Sequence, residues 1–106
     1  MFVSSGRIIL DFYGNQNVKK KRSEMESLTK ELHRKFNLSV KEIEDFDDPE
    51  RCVLGIALVG STQNGAQNAV ASVLQFIDTN SFARMVFEDV ETSRFSSIDT
   101  HEVELP

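Results

Sequence analysis

Apolar and polar residues alternate along FVSSGRIILDF, with Gly6, Ile8, Leu10 and Phe12 on one parity and Ser5, Arg7, Ile9 and Asp11 on the other. A period of two predicts a half-buried strand. YGNQN then reads as a turn, and Asn17 is a good N-cap for a helix opening at Val18. In that helix Val18, Met25, Leu28, Leu32 and Phe36 recur at spacings of three, four and seven, which marks the core face, while Lys19, Ser23, Ser27, Lys30 and Arg34 lie opposite. NLSVKEIEDF and RCVLGIALVG are two further strand patterns, broken by DDPE and read as a hairpin. The second of them is apolar on both parities, as expected of a central strand with little open water on either face. STQNGAQNAVASVLQFIDTN has Val70, Val73, Leu74 and Ile77 at helical spacing, with small Ala66, Ala69 and Ala71 for close approach to a sheet. SFARMVFEDVETSRF gives a fourth strand.

The order β-α-β-β-α-β with right-handed crossovers predicts an α+β, ferredoxin-like sandwich: a four-stranded antiparallel sheet with two helices on one face. One domain over residues 1–95 is expected, followed by an acidic extension, 96–106, whose THEVEL segment alternates enough to add a strand to a sheet edge. At 106 residues the chain has one domain's length, burying roughly 60% or slightly more of its unfolded surface.

Charge changes the picture more than composition does. The net charge is −5, but the signs are segregated: residues 7–35 carry eight Lys/Arg against four Asp/Glu, and residues 36–106 carry four against thirteen. The basic segment puts Lys19, Lys20, Lys21 and Arg22 in the first turn of the first helix, the positive end of the helix dipole, where acids are favoured. Something must compensate. The predicted topology returns the loop between strands two and three, EDFDDPER, to the same edge, placing five acids near four bases.

The stretches VKKKR and KFNLSVKEIEDFDDPERCVLG resemble the YlxP-like bacterial family, domain of unknown function 503. Lys19, Lys21 and Arg22 match its first motif, Phe36, Asn37, Ser39, Val40 and Glu42 its second, and Asp47, Arg51, Leu54 and Gly55 its third. The resemblance runs from Met1 to about Arg94. Asn17 stands for the usual Ser, Tyr13 for a Pro and Lys20 for a Glu, while Asp45-Phe46 replace a common His-Gln pair and Pro49 a common Trp. The resemblance implies a ferredoxin-like, cytoplasmic protein without an established activity. Genes of the family often neighbour translation and ribosome-maturation factors, which implies an RNA or ribosomal association.

Two readings of the basic cluster stand side by side. In one, Lys19, Lys20, Lys21 and Arg22, beside free helix N–H groups and Ser23, hold phosphate, with Lys30 and Arg34 extending the track and Arg51 adding to it. In the other, Asp45, Asp47, Asp48 and Glu50 neutralise the cluster within the chain, or water does. Base stacking of the RNA-recognition type is not expected, since strand three has no aromatic residue. The outward residues of strands one and three are aliphatic instead, and an open apolar sheet face calls for a cover, either a second copy or the extension.

Catalytic chemistry has no constellation. Cys52 opens a buried strand, far in sequence from His33 and His101, and reads as structural. DFDD lacks the alternation and glycine of a calcium loop, and GSTQNG lacks the lysine and spacing of a phosphate loop. No catalytic residue, metal or cofactor is therefore expected. With no membrane span and no disulfide framework, a cytoplasmic location is expected. The leading expectation is a non-enzymatic binder of structured RNA or ribosomal particles. The alternative is a structural or regulatory homo-oligomer, such as a homodimer, assembled through the sheet face with no nucleic-acid role.

Overall fold

The computed structural model describes residues 1–95. Six elements follow in the order β1 (Phe2–Asp11), α1 (Val18–Lys35), β2 (Ser39–Glu44), β3 (Arg51–Gly60), α2 (Gln63–Asn80) and β4 (Arg84–Arg94). The strands form one antiparallel sheet in the order β2-β3-β1-β4, so the fold is the ferredoxin-like α+β arrangement read from the sequence. Among the described residues, no helix is long and apolar enough to cross a membrane. The extension 96–106, and with it the expected added strand, lies outside the described residues.

Alternation decides which side of the sheet the helices cover. Ile8 and Leu10 of β1 and Cys52, Leu54, Ile56 and Leu58 of β3 turn inward. There they meet Met25, Leu28 and Leu32 of α1 and Ala66, Val70, Val73 and Ile77 of α2, all buried. Each large side chain so enclosed contributes about 1.5–3 kcal/mol. Gly60 lets α2 start close against β3, since a Cβ there would lie 2.9 Å from the backbone nitrogen of Ala66. Thr62 caps that helix by accepting from the Gly65 N–H at 3.0 Å.

The opposite face is open. Strand β3 is central, flanked by β2 and β1, but its outward side corrects the expectation of little water on either face: Val59 is 62% exposed. Only Val53 is shielded there. It is buried yet lies outside the core cluster, because Arg7 of β1 reaches in front of β3 to Glu44 of β2 at 3.3 Å. Val3 and Ile9 are half-buried on this face, and Ile43, Val86 and Phe87 are 39%, 52% and 45% exposed.

Candidate functional site

Helix α1 starts with two of its orphan donors already taken. The Asn17 side-chain oxygen accepts from the N–H of Lys19 at 3.0 Å and of Lys20 at 3.3 Å, and the Asn17 carbonyl accepts from Lys21. No acid lies in the first turn, as the sequence showed. An incoming anion would have to displace the chain's own cap.

Lys21 is the largest departure from the phosphate-site expectation. It follows the core spacing 21, 25, 28, 32 and is fully buried, not exposed beside its neighbours. Its Nζ donates to the carbonyls of Asp45 (2.7 Å), Arg51 (3.0 Å) and Phe46 (3.3 Å) and lies 3.2 Å from the Glu42 carboxylate. The ammonium thus ties the start of the β2–β3 loop, at Asp45 and Phe46, to its far end at Arg51 beneath the start of α1. A charge held by four oxygens in a buried site is satisfied within the chain and has no face left for a ligand. The spacing was visible in the sequence, since Lys21 fills the gap between Val18 and Met25 in the apolar stripe.

The other predicted cations divide clearly. Arg22 pairs with Asp47 at 3.2 Å and Arg51 with Asp45 at 3.3 Å, both near the surface. Lys30 pairs with Glu26 and Arg34 with Glu31, both within α1 and largely exposed. Lys20 lies over the ring of Phe82, 5.3 Å from its centroid. Lys19 is exposed and has no hydrogen bond or ion pair through its side chain among the described residues. Of the predicted loop partners, Asp48 shapes the turn instead, accepting from the Glu50 N–H at 2.9 Å, and the Glu50 carbonyl accepts from the Phe12 N–H. Asn15 adds a link from the β1–α1 turn by donating to the Pro49 carbonyl at 2.8 Å.

The loop also shows one strained residue. Asp45 has φ 60°, a left-handed conformation that Asp tolerates better than most side chains. Its carbonyl accepts from both Lys21 Nζ and the Asp48 N–H, which fixes that conformation.

Cys52 lies under this clasp, fully buried. Burial pushes its thiol up to about 12, with the charges of Glu42 and Asp45 adding to the effect and the Lys21 ammonium opposing it. A thiol held so high supplies no nucleophile near neutral pH. Among the described residues, no group of three or more His, Cys, Asp or Glu is placed to hold a metal ion.

Two further surfaces carry exposed apolar groups. One is a shallow cup at the edge of the sheet between Tyr13, Lys20, Phe82 and Arg84, with Tyr13 93% and Phe82 70% exposed. The other is the open sheet face.

The family described as "Protein of unknown function (DUF503)" matches residues 3–90, and the chain belongs to it. No curated protein shows a significant match to this chain. Among solved structures, the de novo designed protein Ferredog-Diesel is similar at 11% identity over 89% of this chain and 85% of its own, with a TM-score of 0.43. So distant a likeness carries no argument.

Proposed function

We propose that this protein is a non-enzymatic binding protein that acts by self-association through its open sheet face, as a structural or regulatory homo-oligomer. One observation carries the reading: Val3, Ile9, Ile43, Val59, Val86 and Phe87 share a face that neither helix covers. They form two apolar patches, Val3 with Val59 and Ile9 with Ile43, Val86 and Phe87, separated by the rows that carry Ser5 and Arg7, and exposed apolar patches on an otherwise polar surface mark an interaction site. The ion pairs at the start of α1 support it indirectly, because they leave the basic cluster largely occupied. A cytoplasmic setting is supported by a lone, buried and unpaired Cys52. Light scattering of the full chain across micromolar to millimolar concentration tests the reading. A mass rising from 12.0 kDa towards twice that value is expected. A constant monomer mass would sink it.

A second reading keeps RNA or a ribosomal particle as partner, and it is favoured by the cup alone. There Lys20 and Arg84 stand beside exposed Tyr13 and Phe82, with Lys19 one residue from Lys20, a combination suited to stacking bases and contacting phosphate. It would not use Lys21, Arg22 or Arg51. Binding of a single-stranded RNA probe that is lost in Tyr13→Ala and Phe82→Ala, but kept in Arg22→Ala, would support it. Equal binding by all of these variants would not.

A further inference from the structure

The outward side chains of the sheet form rows that cross the strands at one level. Strand registers place Lys41 of β2, Gly55 of β3, Arg7 of β1 and Asp89 of β4 on one row. The adjacent outward row towards the β2–β3 loop holds Glu44 with the bulged Ile43 beside it, then Val53, Ile9 and Phe87. Towards the other end, Val59, Val3 and Ser93 share a row.

Two copies stacked on this face in the aligned manner keep their strands within about 30° and their sheets about 10 Å apart. A two-fold axis between them runs either across the strands or along them. An axis across the strands lays each strand over its own counterpart. When that axis passes through the middle of the sheet, between the levels of Ser5 and Arg7, β4 with Asp89 and Glu91 turned outward meets the same two acids of the second copy, and like charges repel. An axis along the strands, midway between β1 and β3, lays β4 over β2 of the second copy at the same level. Asp89 then faces Lys41 of the second copy, exposed Phe87 faces exposed Ile43, and Val3 faces exposed Val59. By symmetry each pairing occurs twice.

We propose that the partner of the open face is a second copy of this chain, related by a two-fold axis parallel to the strands, with Lys41 and Asp89 as the pair that fixes the orientation. This rests on the self-association reading above and adds to it a geometry. Four strands about 4.8 Å apart and six to eleven residues long present roughly 500 Å² per chain. Doubled, that is roughly 1,000 Å², the lower bound of a specific interface. Apolar rows supply the contact, and the rim charges choose between the two axes.

The test is sedimentation equilibrium of the full chain and of Lys41→Asp, Asp89→Lys, their equimolar mixture and the doubly exchanged chain. Both residues are exposed and sit on opposite edge strands, and among the described residues neither makes an ion pair or a side-chain hydrogen bond within the chain, although Asp89 lies across from Arg7. Circular dichroism verifies that each variant is folded. Each single variant places like charges at both rim pairs and is expected to raise the dimer Kd about tenfold or more. The mixture restores both pairs and is expected to recover wild-type affinity, as is the double exchange. A wild-type dimer that single variants leave unchanged, or that the mixture fails to restore, overturns the geometry while self-association stands. A wild-type chain that stays monomeric overturns both.

Discussion

The Nζ of Lys21 lies 2.7 Å from the carbonyl oxygen of Asp45, a residue with φ 60°. One buried ammonium therefore holds a left-handed turn in place and also gathers Phe46, Arg51 and Glu42. Replacing it by Met keeps most of the side-chain volume but leaves three carbonyls without this donor and Glu42 without its counter-ion. Breaking a buried pair from one side costs about 3–5 kcal/mol. Lys21→Met is expected to lower the urea midpoint accordingly, with circular dichroism as the readout. A midpoint equal to wild type would mean the ammonium does not support the fold.

The turn itself gives a sharper contrast. Asn and Gly adopt a left-handed conformation readily, whereas a β-branched residue does so at about 1–2 kcal/mol. Asp45→Val is expected to destabilise by that amount beyond Asp45→Asn, both variants having lost the Arg51 ion pair. If the two melt together, the backbone at this position is not held left-handed in solution.

Arg22 and Asp47 should behave differently from Lys21 although they neighbour it in motif and loop. Their ion pair has side chains 57% and 95% exposed, where screening leaves about 0–1 kcal/mol. Arg22→Ala or Asp47→Ala is expected to shift stability by less than about 1 kcal/mol, and 1 M salt should erase the difference from wild type. A loss as large as that of Lys21→Met would contradict the distinction.

Cys52 provides a pH test. Its folded pKa of about 12 lies above the ordinary thiol value of 9.0, so the fold favours the neutral form. A raised pKa means the contribution is complete below pH 9 and is lost as pH climbs towards 12, because the unfolded thiol ionises first. The urea midpoint is expected to fall over that interval, with Cys52→Ala falling less. Iodoacetamide at pH 8 is expected to modify the native chain far more slowly than the unfolded one. Rapid labelling of native protein would place the thiol at the surface.

Much of this was legible because periodicity reports burial directly. The alternation at Ile8 and Leu10 and the 25, 28, 32 stripe of α1 determined the strand, the helix and the face each buries. Crossover handedness brought EDFDDPER to the start of α1. The fate of Lys21 was harder to see, since a lysine between charged neighbours reads as surface until its place in the apolar stripe is given equal weight. Glu42 was missed as a partner because it lies in β2 and not in the loop. The exposure of Val59 depends on the face the helices leave open, which alternation on an apolar strand does not reveal.

A dilution series of ¹H–¹⁵N correlation spectra on the full chain asks directly whether the sheet face, and not the basic helix start, is where this protein binds. Concentration-dependent shifts are expected for Val3, Ile43, Val59, Phe87 and Asp89, with Val18 to Arg22 unchanged. Spectra that stay constant to millimolar concentration, or that move only at Val18 to Arg22, would contradict the proposal.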